Sequence, residues 1–201
     1  MASGRGTASG AARAALLDRC LEFLRRDGFG HLSLREIAAG AGTSHRMLIY
    51  HFGSREGLLA EVVGRVEAEQ RAALADLATG TDDLAEIGRA FWRRVSDPEL
   101  APAERLFFEV YSNALYGREW TASFRASVIS SWQQPLVDLL VSHGFAPDDA
   151  THRVRLGLAA TRGLLLDLLI TGDREAVDAA YELLAPVFAP PAASYAGPDS
   201  G

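Results

Sequence analysis

Residues 33–52 read SLREIAAGAGTSHRMLIYHF, and the way this stretch folds decides the rest of the chain. Ser33-Leu34-Arg35-Glu36 fits the S-x-x-E capping box, in which the serine hydroxyl accepts the N–H three residues on and the glutamate reaches back to the serine N–H. A helix therefore starts at Ser33. Ile37, Ala38 and Ala41 supply a small apolar face, and Gly42 can take the positive φ that ends a helix and reverses the chain. Ser44 then caps a second helix. In it Met47, Leu48 and Phe52 lie on or near one side, His45, Arg46, Ile49 and Tyr50 are spread around the rest, and His51 stands beside Leu48. Two short helices around a tight glycine turn make a helix-turn-helix, whose second helix enters the major groove of DNA.

The charge distribution agrees with such a head. The chain has 201 residues, 48% of them hydrophobic, enough to bury a core in one or two domains. All 20 of its basic residues are arginine, and the formal net charge is -6. Residues 1–60 carry eight arginines against five carboxylates, a net +3, which leaves -9 for the remainder. A basic end can sit on phosphates and an acidic body cannot. The single cysteine, Cys20, excludes an intramolecular disulfide, and its place among Leu17, Leu21 and Leu24 reads as a buried structural thiol. The N-terminus lacks an apolar core of signal-peptide length and no later run is long enough to span a membrane, so a cytoplasmic protein is expected. There is no Cys/His/carboxylate cluster at zinc or iron spacing, no phosphate loop and no nucleophile elbow. The expectation is no metal, no cofactor and no enzymatic activity.

Read in order, the chain is all-α. After an arm expected to be disordered over 1–10, helices are expected over 11–27, 33–42 and 44–52, then 54–78, 83–96 and 101–116. A longer helix over 118–143 should be kinked or split by Pro135. Asp148-Asp149 opens another to Thr171, a last helix runs over 174–188, and 189–201 looks disordered.

Leu34-Arg35-Glu36-Ile37-Ala38, Ala41-Gly42-Thr43-Ser44, Leu48-Ile49-Tyr50-His51-Phe52 and Ser54-Arg55-Glu56-Gly57-Leu58-Leu59, in this order, resemble the DNA-binding domain of TetR-family transcriptional regulators. The length and helix order of 61–188 are similar to that family's helical body. The resemblance implies a three-helix DNA-binding domain over 11–53 and an effector-binding and dimerisation domain over 54–188. It further implies a homodimer on a palindromic double-stranded operator, usually as a repressor, released when a small molecule enters the body.

Carried over residue by residue, the resemblance puts Thr43, Ser44, His45, Arg46 and Met47 at the start of the recognition helix, with Tyr50 and His51 following in the groove. Ser33 and Arg55 flank them, and Arg55 would hold a phosphate with the N–H groups opening its helix. Two positions depart from the pattern. Ile49 stands where the family commonly has tyrosine, and Thr43 where an apolar residue is usual. Arg46 is the base-reading candidate, because a guanidinium bonds both O6 and N7 of guanine for roughly 1–3 kcal/mol of discrimination; a phosphate contact or a solvated arginine is the alternative. Met47 offers an apolar contact to a thymine methyl or belongs to the core. His45 and His51 weaken as phosphate donors when neutral.

Aromatic residues concentrate in the middle of the body, where an apolar pocket with a few polar groups would hold an effector. The candidates are Phe91, Trp92, Phe108, Glu109, Tyr111, Asn113, Trp120, Phe124 and Arg162; the competing reading is an aromatic core. Glu109, set in Phe107-Phe108-Glu109-Val110-Tyr111, needs a partner if buried. Gly157, Ala159, Ala160 and Gly163 let another helix approach closely, so Leu158, Thr161 and Leu165, with Val177, Tyr181 and Leu184 of the last helix, are the candidate dimer contacts in a two-fold four-helix bundle. The functional expectation is a ligand-responsive regulator, a repressor released by a small, largely apolar or aromatic effector. The alternative is an all-helical small-molecule-binding protein or enzyme whose head does not read DNA.

Overall fold

A computed structural model of the protein describes residues 3–28 and 32–189, with backbone alone over 3–9. Among the described residues every regular element is helical. Helix α1 spans Ser3–Asp27, so it begins well ahead of residue 11. Helix propensity does not account for the added turns, because Gly4, Gly6 and Gly10 fall in them. Helices α2 (Leu34–Gly40), α3 (His45–Phe52), α4 (Arg55–Gly80), α5 (Leu84–Val95) and α6 (Ala101–Leu115) follow. Helices α2 to α5 start at side-chain caps, whereas α6 opens on Leu100 without one; at α5, Asp83 Oδ1 accepts the N–H groups of Ala85 and Glu86 at 2.8 and 3.2 Å.

The helix expected over 118–143 is divided differently from the expectation. A 3₁₀ turn (Glu119–Thr121), α7 (Ala122–Ser127) and α8 (Ser130–Ser142) replace it, and the break falls at Val128–Ile129 while Pro135 stays inside α8. Pro135 removes a single rung near the start of α8 and is tolerated there. Helix α9 (Pro147–Thr171) ends on Gly172, whose φ of 72° lets its N–H cap Leu168. Helix α10 is Arg174–Glu182, and Ala185–Phe188 forms a 3₁₀ turn. Pro186 has no N–H for the carbonyl of Glu182, so the α-helix stops short of the expected 188. The tail expected from 189 lies, beyond Ala189, outside the described residues.

The chain forms two compact units, Met1–Asp76 with Arg93–Val128, and Leu77–Trp92 with Ile129–Gly201. In the first, α1 packs on α2 and α2 on α3. Its core joins Leu16, Cys20, Leu21 and Leu24 of α1 to Ile37 and Leu48 of the head. Leu58, Leu59, Val62, Val63 and Val66 of α4 and Leu106, Phe107 and Val110 of α6 complete it. Burial pushes the Cys20 thiol up to about 11 against the opposing pull of Arg19. Gly40 lets Phe23 lie against α2, since a Cβ there would be 2.1 Å from the Phe23 ring and the ring would have to move.

In the second unit α8 packs on α9 and α9 on α10. The Trp92 and Tyr181 rings stack with centroids 4.6 Å apart. The Trp92 indole N–H donates to Asp178 at 2.7 Å and the Tyr181 hydroxyl to the Gly88 carbonyl at 3.0 Å. Burial raises the Tyr181 pKa; a hydrogen bond with Thr161 opposes that rise and the charge of Glu182 adds to it. Gly157 leaves room for Phe188, whose Cζ lies 2.5 Å from where a Cβ would sit.

Candidate nucleic-acid interface

The head is built on reciprocal caps. Ser33 donates its N–H to Glu36 Oε2 at 2.7 Å and accepts the Glu36 N–H on its hydroxyl at 3.3 Å. Holding that bond lowers the Glu36 pKa, the bond with Ser33 outweighing the small cost of burial. At the far end of α2, Gly42 takes φ 64° and the chain turns into Ser44, whose hydroxyl accepts the Met47 N–H at 3.2 Å. Gly53, φ 76°, caps α3 on the Ile49 carbonyl. Both ends of α3 are thus determined by local chemistry visible in the sequence.

What α3 presents outward is decided by what it buries. Leu48 is wholly buried and Phe52 nearly so, which turns His45, Arg46, Met47, Ile49 and Tyr50 to the surface. Met47 and Ile49 are each 41% exposed and Tyr50 75%. Met47 therefore belongs to the outward face and not to the core. Ile49, which sequence reasoning had set aside as a departure from the family pattern, stands on that same face. Thr43 and His51 are half-buried, Ser33 and Ser44 exposed, and the Tyr50 and His51 rings meet edge to face at 4.9 Å. A short helix whose outward face carries one imidazole, one guanidinium, one phenol and two exposed aliphatic side chains has the shape and chemistry to enter a major groove.

Arg55 has a structural bond beside any other duty, since its Nε donates to the Leu32 carbonyl at 2.7 Å. Arginines of α1 brace the unit from behind. Arg19 Nε donates to the Ala41 carbonyl at 3.1 Å, and Arg13 Nη2 pairs with Glu61 at 2.9 Å. Arg65 with Asp18 at 2.9 Å, and Arg25 with Glu69, join α1 to α4 farther along. Sequence reasoning missed Arg13 and Arg19, because nothing local distinguishes an arginine that reaches a carbonyl from one in solvent.

The candidate effector residues divide between the units. In the first, Phe124 is buried and Phe108, Tyr111, Asn113 and Trp120 are half-buried. Phe107, absent from that set, is the hub, with the rings of Phe108, Tyr111 and Phe124 at 5.1, 5.6 and 5.7 Å. Glu109 is exposed, and the buried acid of α6 is Glu104; a five-residue shift of phase around the helix separates the two. Asn113 spends its amide N–H on the Glu109 carbonyl at 2.9 Å. In the second unit Phe91 meets Trp132 edge to face at 5.6 Å, Trp92 is buried and Arg162 half-buried.

Of the candidate dimer residues, Leu165, Val177 and Tyr181 are buried within the second unit, while Leu158, Thr161 and Leu184 are half-buried. The exposed apolar residues lie on another face. Leu156, Ala159, Gly163, Leu166 and Ile170 follow the alternating three- and four-residue spacing of a helix-pairing seam, and all are exposed. Ile170 is 75% exposed and Leu183, just past the end of α10, 77%. That spacing was present in the sequence and was hidden by the apolar residues on every side of α9. Among the described residues no group of His, Cys, Asp or Glu is placed to hold a metal ion, and no helix is long and apolar enough to cross a membrane.

Comparison with known proteins meets this geometry at the head. Residues 16–62 match the family of bacterial regulatory proteins described as the tetR family. No curated protein matches the chain by sequence. Among solved structures, a transcriptional regulator from Rhodococcus sp. Rha1 superposes with a TM-score of 0.67 at 20% identity, covering 88% of this chain and 95% of that one. A TetR-family transcriptional regulator from Pectobacterium atrosepticum gives 0.64 at 20% identity, over 89% and 92% of the two chains. NalD, the secondary repressor of the MexAB-OprM multidrug efflux pump in Pseudomonas aeruginosa, gives 0.55 at 18%, over 90% and 95%. These likenesses show the same helical fold over 88–90% of the chain.

Proposed function

We propose that this chain, whose residues 16–62 match the tetR family and whose fold is that of solved transcriptional regulators, is a TetR-family regulator, a homodimeric repressor of a palindromic operator released by a small, largely apolar or aromatic effector. The observation that carries the DNA-reading half is the outward face of α3. His45, Arg46, Met47, Ile49 and Tyr50 are left to the surface by a helix whose two ends are capped and whose Leu48 and Phe52 are anchored. Arg46 reads a base in this scheme, and Ser33, Thr43, Ser44, His51 and Arg55 fix the phosphates. The +3 head and -9 body support the same polarity.

Dimerisation is assigned to the exposed seam Leu156, Ala159, Gly163, Leu166 and Ile170 together with Leu183, a face whose small residues let two helices approach and whose leucines and isoleucine then bury apolar area. The effector is assigned to the aromatic body, where Phe107, Phe108, Tyr111 and Phe124 form a ring cluster flanked by Trp120. A ligand that favours one setting of α4 over another changes operator affinity by its differential affinity for the two. The test is to select duplexes from a randomised library with the purified protein, then screen aromatic and apolar compounds for thermal stabilisation and for operator release. Failure to enrich any palindrome overturns the repressor reading. A stabilising compound that leaves operator affinity untouched overturns the coupling.

A further inference from the structure

Arg13 occupies an unusual position for an arginine of a supporting helix. Its Nη2 pairs with Glu61 Oε1 of α4 at 2.9 Å, its Nε donates to the His51 carbonyl of α3 at 3.4 Å, and its guanidinium carbon lies 5.1 Å from the centre of the Phe52 ring. One side chain of α1 thus touches α3 and α4 together. The contacts on α3 fall at its C-terminal end, where carbonyls lack intrahelical partners and the helix dipole favours a cation. The neighbouring carbonyls of Ile49 and Phe52 are already taken by the N–H groups of Gly53 and Ser54. Arg13 therefore supplies the His51 carbonyl with a charged donor, and Phe52, the buried anchor of α3, with a cation over its ring face.

Glu61 faces Arg13 from behind the head and directs the guanidinium to α3. A phosphate role is the obvious alternative for an arginine in a DNA-binding head, but this one is committed to a carboxylate, a carbonyl and a ring. Arg19 makes the matching contact for α2 by donating to Ala41, so α1 holds the C-terminal end of each helix of the reading pair.

We propose that Arg13, held by Glu61, is a positioning residue for DNA reading: it sets the angle at which α3 meets the groove and does not itself bind phosphate. This rests on the regulator reading above. The expected signature is loss of discrimination without loss of general affinity, because discrimination requires α3 in register and general affinity requires only phosphate contacts.

The probe is a duplex enriched from a randomised library by the wild-type protein, with a scrambled duplex of the same length as the non-specific reference. Affinities are measured by fluorescence anisotropy over a range of salt for wild type, Arg13→Gln, Arg13→Lys and Glu61→Gln, each shown by thermal melting to be folded at the assay temperature. Arg13→Gln and Glu61→Gln are both expected to lower the ratio of specific to scrambled affinity by about tenfold, equivalent to about 1.4 kcal/mol. The slope of log affinity against log salt stays as in wild type, and Arg13→Lys keeps part of the ratio. Three results overturn the proposal: folded Arg13→Gln and Glu61→Gln proteins with the wild-type ratio; a slope shallower by about 0.9 for each lost phosphate contact; or tighter binding by Glu61→Gln, as expected if that carboxylate merely withholds Arg13 from the backbone. A wild-type protein that enriches no duplex overturns the regulator reading and this proposal with it, and is distinguished by appearing before any variant is made.

Discussion

Ser33 and Glu36 exchange hydrogen bonds across the first turn of α2, with Glu36 Oε2 taking the Ser33 N–H at 2.7 Å and the Ser33 hydroxyl taking the Glu36 N–H at 3.3 Å. The bond favours the charged carboxylate, so Glu36 is lowered from its ordinary 4.5. Its contribution to stability is present above the ordinary value, where the carboxylate is charged in folded and unfolded chains alike. It is lost as pH falls through the lower folded value, because the unfolded chain takes up its proton first. Thermal melts of wild type and Glu36→Gln across this acidic range should converge as pH falls. Curves that stay parallel throughout would show that the carboxylate charge adds nothing to the cap.

Two glycines of α4 should respond oppositely to alanine. Gly64 has no atom within 4 Å of its would-be Cβ, whereas at Gly57 the Cβ would lie 2.2 Å from the Phe52 carbonyl oxygen. Gly64→Ala should stabilise by about 0.5–1 kcal/mol through helix propensity. Gly57→Ala should destabilise despite the same gain, because a backbone atom has to move. Urea denaturation midpoints read both signs, and a stabilising Gly57→Ala would contradict the close approach of the α3–α4 corner.

Cys20 is wholly buried and its thiol is pushed up to about 11. The thiolate is the reactive form, so a thiol-alkylating reagent at about pH 8 should leave the folded protein unmodified and react on addition of urea. Rapid modification under native conditions would mean that α1 opens away from the core far more readily than its packing implies.

Much of the head was legible in the sequence because its determinants are local. Ser33, Glu36, Gly42, Ser44 and Gly53 each act within three or four residues, and the structure places each cap where spacing puts it. The phase of α3 was less legible: Met47 and Leu48 are both apolar, and only tertiary packing shows that Leu48 is the buried one. The same limit applies to Glu109 and Glu104, five residues apart on α6, of which packing buries the second. On α9 apolar residues occur all round, so the exposed seam could be told from the buried one only after Leu165 and Val154 had been placed against the rest of the unit. Arg13 and Arg19 reach 38 and 22 residues along the chain for their carbonyls, a distance over which sequence spacing carries no signal.

The exposed seam on α9 gives the homodimer its test. Ile170→Glu places a charge on a residue that is 75% exposed in the isolated chain, so the fold should survive with little change in melting temperature. If this face joins two copies, the charge is buried at the interface and sedimentation should show a monomer, with operator affinity reduced because two heads no longer bind together. A variant that stays dimeric would place the interface elsewhere.

The central claim, that α3 reads DNA through its outward face, is tested most directly by the affinity of the purified protein for its selected duplex against a scrambled one, for wild type and Arg46→Ala. Wild type should bind the selected duplex as a dimer, with affinity falling steeply as salt rises. Arg46→Ala should lose roughly 1–3 kcal/mol of preference for one base pair in each half-site. Equal affinity for both duplexes in wild type would contradict the claim outright, and an unchanged preference in Arg46→Ala would remove Arg46 from base reading.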